Sequence, residues 1–286
     1  MNGRVSAPCD QSLSQSLDEA LSFKSGAGAP ALESYIAVCR NPASSMGDFI
    51  QALLETAYWR QRALPAPVLS DACLGLARAI DDALAEATEP PYHSRRHFKE
   101  VCLGLSLLLS AGAAQMGQAS WSLSDEDAWI VLLAAIGHDY GHEGRQNRTF
   151  GELEEKSCRL TGAFLRDAGL DDSVIDLVAT LIRATEPTLY AALTGPAAHG
   201  AKLSAIETMK ILLVEADLFA SMLPEYGILL GNWLSEEFKA ETPRLAQIIA
   251  SPAGRLKFLN THPYVSPNSR ALNFVSVIES AVAKSA

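Results

Sequence analysis

The chain has 286 residues, 48% of them hydrophobic and 20% charged, and its 23 Lys and Arg against 33 Asp and Glu give a formal net charge of −10. That length buries enough apolar surface for one large core or two smaller ones, which excludes disordered, collagen-like and disulfide-stapled classes. The negative balance argues against nucleic-acid polymers and anionic membranes as partners, because both select basic patches.

Residues 1–44 are rich in Ser, Ala and Gly, which predicts a partly flexible N-terminal arm with one or two short helices ahead of a single domain at 45–286. Helices are then predicted at 46–62, 68–87, 93–111, 125–137, 152–168, 172–184, 201–223, 225–239 and 267–284. Breaks fall at Pro65, Pro67, Pro90, Pro91, Gly141, Pro187, Pro196, Pro224, Pro252 and Pro263. Ser124 before Asp125-Glu126-Asp127 makes a good helix start, since a hydroxyl caps free N–H groups and carboxylates suit the positive end of the helix dipole. No alternating strand pattern is sustained anywhere, so the expected fold is all-α. The five cysteines are scattered without a CxxC pair, which fits free thiols in a reducing compartment. The N-terminal sequence has no signal-peptide stretch and the longest apolar run, near 128–136, is too short to span a bilayer, so the expected location is cytoplasmic.

Four of the six histidines form two pairs of equal spacing, His93/His97 and His138/His142. On a helix, positions i and i+4 share one face, so each pair is expected to point at one site. Asp139 follows His138 at the end of an almost wholly apolar helix, and Asp217 sits within another, in ILLVEADLFASM. Taken singly, a His at a helix end is ordinarily a cap and a buried Asp a satisfied core carboxylate. Together they place two His and two Asp at the least comfortable positions of three apolar helices, the set that holds a divalent cation with room left for water.

The order His97, His138-Asp139, Asp217 resembles the ligand signature of HD-domain metal phosphohydrolases. Four ordered motifs over residues 90–275 resemble, within that superfamily, the catalytic domain of class I 3',5'-cyclic-nucleotide phosphodiesterases. They are Tyr92-His93-x-x-x-His97, His138-Asp139-x-x-His142-x-Gly144-x-x-Asn147, Ala184-Thr185-Glu186 and Ala216-Asp217-Leu218. The resemblance implies a compact multi-helix bundle and a metal-dependent phosphodiesterase. It implies that His97, His138, Asp139 and Asp217 bind a first metal, usually zinc, with iron as another occupant. Asp139 would bridge to a second metal, magnesium or manganese. His93 matches the general acid, Glu154 the carboxylate that orients it, His142 a residue that orders water at the second metal, and Glu186 the acidic position after Ala-Thr. Tyr92, Arg255 and Phe258 are the candidates for binding substrate, Phe258 as the clamp on a base.

The sequence departs from that pattern at Ser94, Glu143, Lys156 and Ser157, and the stretch from Asn147 to Glu154 is short. Arg255 and Ala220 stand where the family carries the two amides that read a purine edge. An amide donates and accepts, whereas Arg only donates, so a substrate other than cAMP or cGMP is admitted.

The chemistry is coherent in its own right. A divalent ion lowers the pKa of a bound water from about 15.7 to about 7, and two ions about 3.5–4 Å apart clamp the attacking and leaving oxygens of a phosphodiester. A histidine then supplies the proton that the departing alkoxide needs. The expected partner is a small-molecule phosphodiester. The alternatives are another HD-type nucleotide phosphohydrolase, a di-iron oxygenase, which wants more histidines between 139 and 217 than His142 and His199 supply, or a regulatory HD domain, which typically lacks ligands that are all present here.

Overall fold

The structure, a computed structural model, describes residues 11–22, 28–42, 44–63, 67–85, 88–114 and 121–285. The described residues contain helices and no strand, as the sequence led one to expect. In order these are α1 (Gln11–Leu21), α2 (Ala29–Ala37), α3 (Met46–Leu54), α4 (Ala57–Ala63), α5 (Pro67–Ala85), α6 (Arg95–Ala114), α7 (Asp125–Gly137) and α8 (Glu152–Asp167). They continue as α9 (Asp172–Ile182), α10 (Tyr190–Ala198), α11 (Ala205–Leu218), α12 (Tyr226–Phe238), α13 (Pro243–Ile249), α14 (Pro252–Thr261), α15 (Pro267–Ala271) and α16 (Phe274–Ser285).

The centre is α7, buried all round from Ala128 to Gly137, as a helix with no polar face must be. Ser124 caps it as expected, its hydroxyl accepting from the Asp127 N–H at 3.1 Å. Helices α5, α6, α9 and α11 pack around α7, and α6 also packs along α11. The α6–α11 crossing depends on Gly104, where a Cβ would stand 3.0 Å from the Cβ of Phe219. Three apolar helices therefore run side by side, and they carry His97, His138 and Asp217.

Several expected spans are divided. The 46–62 helix breaks at Glu55-Thr56, where the Thr56 hydroxyl donates back to the Leu53 carbonyl at 2.6 Å. The 267–284 helix breaks at Asn273, which has φ 56°. Helix α11 begins only at Ala205, where Ser204 and Glu207 form a capping box. Helices α10, α13 and α14 lie outside every predicted span; Pro252, read as a break, is the first residue of α14.

The N-terminal segment also differs from a loosely attached arm. Leu17, Leu32 and Ile36 are fully buried in the common core, with α1 against α3 and α2 against α16. Beyond α2, the buried Lys99 ammonium holds the turn before α3, donating to the Ser44 hydroxyl at 3.0 Å and the Asn41 carbonyl at 3.4 Å. Small residues lowered the apparent hydrophobicity of this stretch, but leucines at helical spacing carry its packing. Residues 1–10 and 23–27 of the expected arm lie outside the described residues.

Candidate active site

The C-terminus of α7 sets the first two candidate ligands, His138 and Asp139. His138 donates its Nδ1–H to the Ala135 carbonyl at 2.9 Å, so Nε2 is the nitrogen turned inward. The chain then turns: Tyr140 N–H donates to the Gly137 carbonyl at 3.1 Å and His142 N–H to the Asp139 carbonyl at 2.8 Å. Gly141 adopts φ +80°, a conformation L side chains rarely take, and this reversal brings His142 back toward the site.

His97 lies in the first turn of α6, and Asp217 is the second-last residue of α11. The four groups meet. His97 Nε2 is 3.1 Å from Asp217 Oδ1 and 3.4 Å from Asp139 Oδ2; His138 Nε2 is 3.1 Å from Asp139 Oδ2 and 3.6 Å from Asp217 Oδ1. The two Nε2 atoms are 3.3 Å apart. Both histidines are buried.

Electrostatics follow from this packing. Burial disfavours the charged form of His97, yet hydrogen bonds and charge from Asp139 and Asp217 prevail and hold it at about 9. His138 is pushed well up in the same way, against its burial, chiefly by the charge of Asp139. Burial opposes ionisation of Asp217, but hydrogen bonds from His138 and His97 bring it down to about 2; Asp139 is held well below the usual carboxylate range, against burial, first by the charge of His138. The cluster therefore has a strong demand for positive charge, which protons meet in the absence of a cation. His97, His138 and Asp217 each offer an atom to one point within 4.8 Å of the others, and two imidazole nitrogens with carboxylate oxygens suit a zinc-class or other first-row divalent ion.

Neither histidine pair shares a helix face. His93 lies in the turn that precedes α6, because Pro90-Pro91 delay the helix until Arg95, whose N–H is capped by Glu89 at 2.9 Å. His142 lies beyond the end of α7. The two equal spacings are realised through turns rather than through one helical face.

His93 is held by Glu237 of α12, a residue the sequence reading missed. Its Nδ1 is in a short hydrogen bond with Oε1 of Glu237, while Oε2 accepts the N–H of Tyr92 at 2.7 Å and of His93 at 3.1 Å. Burial opposes the charge of Glu237, and these donors, the imidazole first, bring its pKa down. The other ring nitrogen, Nε2, lies 4.0 Å from Asp139 Oδ2 and faces the cluster. His142 stacks on His93 with ring centres 3.6 Å apart and planes 26° apart, its Nδ1 accepting the Gly144 N–H at 3.1 Å. Burial and the neighbouring charge of His93 lower His142 to about 3, so this ring stays neutral.

Glu154, expected on His93, accepts instead from Asn147 Nδ2 at 2.8 Å, while Asn147 Oδ1 accepts the Leu153 N–H at 2.7 Å and so anchors the start of α8. Burial raises the pKa of Glu154, and the charges of Asp139 and Glu186 add to the rise. Glu186 caps its own turn, accepting from the Thr188 N–H at 2.9 Å and from the Thr188 hydroxyl.

Tyr92 is buried with its hydroxyl 2.9 Å from Ser221 Oγ, its ring 4.8 Å from those of His93 and His97. Arg255 is committed within the fold: one terminal nitrogen donates to the Ser221 carbonyl and the other to that of Leu223 at 2.9 Å. Burial lowers its pKa to about 10. Phe258 packs against the core with its ring 4.8 Å from His262. The signal that could have found Glu237 is its register, since Tyr226, Leu230, Trp233 and Glu237 follow one stripe of α12 and place a carboxylate on the apolar side.

No family model and no curated protein matches the sequence. Solved structures do resemble it. LmjPDEB1 in complex with IBMX superposes with a TM-score of 0.67 at 17% identity over 94% of this chain and 96% of the other. The phosphodiesterase domain of the RhoPDE fusion protein from the choanoflagellate Salpingoeca rosetta gives 0.63 at 15% identity over 85% and 92%. A second structure of the Salpingoeca rosetta rhodopsin phosphodiesterase domain gives 0.56 at 16% over 82% and 93%. The fold is that of a phosphodiesterase catalytic domain. With LmjPDEB1 the uncovered 6% of this chain is shorter than its first 44 residues, so part of that segment lies within the phosphodiesterase fold.

Proposed function

We propose that the protein is a metal-dependent phosphodiesterase in which His93 is the general acid. The observation that carries this reading is the meeting of His97, His138, Asp139 and Asp217 beside a histidine whose Nδ1 is fixed by Glu237 and whose Nε2 faces them at 4.0 Å from Asp139. The phosphodiesterase fold supports it.

In this reading His97, His138, Asp139 and Asp217 would hold zinc or a similar ion, and Asp139 would also serve a second divalent ion such as magnesium or manganese. Bound there, divalent cations would supply hydroxide at neutral pH and neutralise charge on the phosphoryl oxygens. His93 protonates the departing alkoxide through Nε2. Glu237 fixes the ring so that this nitrogen, and not Nδ1, meets the substrate. The neutral His142 supports His93 from its flat side without adding charge. Because Arg255 is bonded to two carbonyls, it leaves a nucleobase edge unread, and the substrate is a small phosphodiester recognised first by its phosphate, with cyclic nucleotides among the class. Among the described residues no helix is long and apolar enough to cross a membrane, and four buried free thiols fit a cytoplasmic setting.

The test is metal analysis of purified protein together with turnover of bis-p-nitrophenyl phosphate, cAMP, cGMP and nucleotide monoesters. Bound metal with diester turnover is expected. Absence of both bound metal and turnover in added Mn or Mg would refute the reading, and a preference for monoesters would move it to another HD-type phosphohydrolase.

A further inference from the structure

The turn that carries His93 is gripped from a second side by Arg96. Its guanidinium donates to the Pro91 carbonyl at 2.8 Å and reaches the Tyr92 carbonyl at 3.5 Å. The same group lies over Trp233 of α12, with Cζ 3.7 Å from the ring centre. Its Nε pairs with Glu100 at 3.3 Å. Glu100 is 1% exposed and accepts the Tyr226 hydroxyl on the same oxygen, while its other oxygen is buried without a hydrogen-bond partner among the described residues. Among the described residues, Arg96 pairs with this carboxylate and Tyr226 hydrogen-bonds to it.

Tyr226 is seated in turn by the N-terminal segment. Glu33 of α2 accepts the N–H groups of Glu225 at 2.8 Å and Tyr226 at 3.1 Å, two free donors at the start of α12. Arg40 pairs with Glu33 at 3.8 Å and lays its guanidinium over the Tyr226 ring, Cζ 3.8 Å from the centre. Contacts therefore run without a gap from residues 33 and 40 to the backbone beside His93. Arg96 stacks on a ring while its edge donates to a carbonyl, a combination an ammonium supplies only in part, whereas Arg40 contributes charge beside Glu33 and over the Tyr226 ring.

We propose that residues 28–42 form a positioning element for His93, with Glu33 and Arg40 seating Tyr226, Tyr226 and Arg96 sharing Glu100, and Arg96 holding the Tyr92-His93 turn against α12. This inference rests on the reading of His93 as general acid. A turn released on the Arg96 side remains tied to Glu237 but loses its fixed distance from the cluster, and small misplacements of a reacting group are costly in rate.

The experiment compares two substrates on the full chain. An alkyl phosphodiester leaves as a basic alkoxide and needs the acid, whereas bis-p-nitrophenyl phosphate leaves as a stable phenolate and needs it little. Arg96→Met is expected to lower kcat on the alkyl ester about 10-fold or more with less than about twofold change on the p-nitrophenyl ester and unchanged metal content, since general acids contribute roughly 10²–10⁴-fold. Arg40, with a side chain 41% exposed, supplies a variant that folds readily: Arg40→Met is expected to shift the same ratio in the same direction, and Arg40→Lys to restore most of it. His93→Ala is the reference. If it selects against the alkyl ester while Arg96→Met and Arg40→Met slow both substrates equally or neither, the positioning role is overturned and the acid assignment stands. If His93→Ala itself shows no selection, the acid assignment falls and the positioning role falls with it.

Discussion

Replacing Glu237 by Gln tests the centre of the proposed chemistry with almost no change in volume. The carboxylate accepts three donors, the imidazole Nδ1 and the N–H groups of Tyr92 and His93 at 2.7 and 3.1 Å, and its side chain is 2% exposed, so water cannot substitute. A glutamine offers one acceptor and one donor. If its oxygen meets the two N–H groups, its NH2 confronts Nδ1, and the ring must give up the Nδ1 proton that the carboxylate held. If its oxygen meets Nδ1, the NH2 faces two N–H donors. Either way one charge-assisted bond is lost or a buried donor is left unmatched, worth about 1.5–3 kcal/mol. At 1.36 kcal/mol per decade that is a drop of roughly 10- to 150-fold in kcat. The assay is steady-state turnover of an alkyl phosphodiester beside metal analysis, and the expected result is lost turnover with full metal occupancy. An E237Q protein within a factor of two of the native kcat on that substrate would show that the Glu237–His93 pair does not serve proton transfer.

The remaining predictions separate ligand, charge and packing. Asp217→Ala is expected to lose the metal and all turnover, while His93→Ala keeps the metal and loses turnover on the alkyl ester; the reverse pattern by metal analysis would exchange the roles assigned here. Metal-free protein should be less stable at pH 9.5 than at pH 6.5. The pKa of His97 is raised from 6.5 to about 9 by its carboxylates, so the stabilisation is complete below about 6.5 and is lost as pH rises through about 9. Counting the His97–Asp217 attraction once, that loss is about 3 kcal/mol in urea unfolding of chelated protein, and a flat profile over this window would contradict it. Arg255→Met is expected to cost about 1–3 kcal/mol of stability by withdrawing two donors from the Ser221 and Leu223 carbonyls, with KM for the diester unchanged; a raised KM would return Arg255 to the substrate. Ile36→Ala should cost about 2–5 kcal/mol in the same unfolding assay, because its side chain is fully buried in the shared core; a cost below about 0.5 kcal/mol would mean that the N-terminal segment is an arm after all.

The candidate metal set stood out in the sequence because its chemistry conflicts with its surroundings. A His-Asp pair ending a helix that is apolar on every side, and an Asp inside ILLVEADLF, are expensive residues in cheap places, and no knowledge of the fold is needed to notice them. The partner of His93 was not legible in the same way. Glu237 is 144 residues away and acts through a helix crossing, whereas Glu154 was favoured by its proximity to the second motif in the chain. The helix span at 125–137 could be read because its Ser124 cap and its apolar run agreed. The 46–62 and 267–284 spans could not be read as divided, because a back-bonding Thr56 and a left-handed Asn273 leave no trace in the apolar pattern. The segment 1–44 misled for a related reason: its composition is that of a linker, but packing depends on where Leu17, Leu32 and Ile36 point and not on the average.

The arrangement also favours the proposed catalytic metal centre over a merely structural one. Two imidazoles and two carboxylates in a buried site gain the fold little, since apolar side chains of similar volume would be as stable or more so without the desolvation of four polar groups. A structural ion would account for those four residues and for nothing beyond them, because such sites are closed by their own ligands. His93 is not among the four. It is held on one nitrogen by a carboxylate from α12, supported on one face by a neutral His142, and presents its other nitrogen 4.0 Å from Asp139. A strut needs neither a defined free nitrogen nor a neighbour kept uncharged, whereas a proton donor beside an anionic substrate needs both. The net charge of −10 is no obstacle to the proposed role, because the cations such a site would take bring positive charge to the place where the proposed phosphodiester would bind.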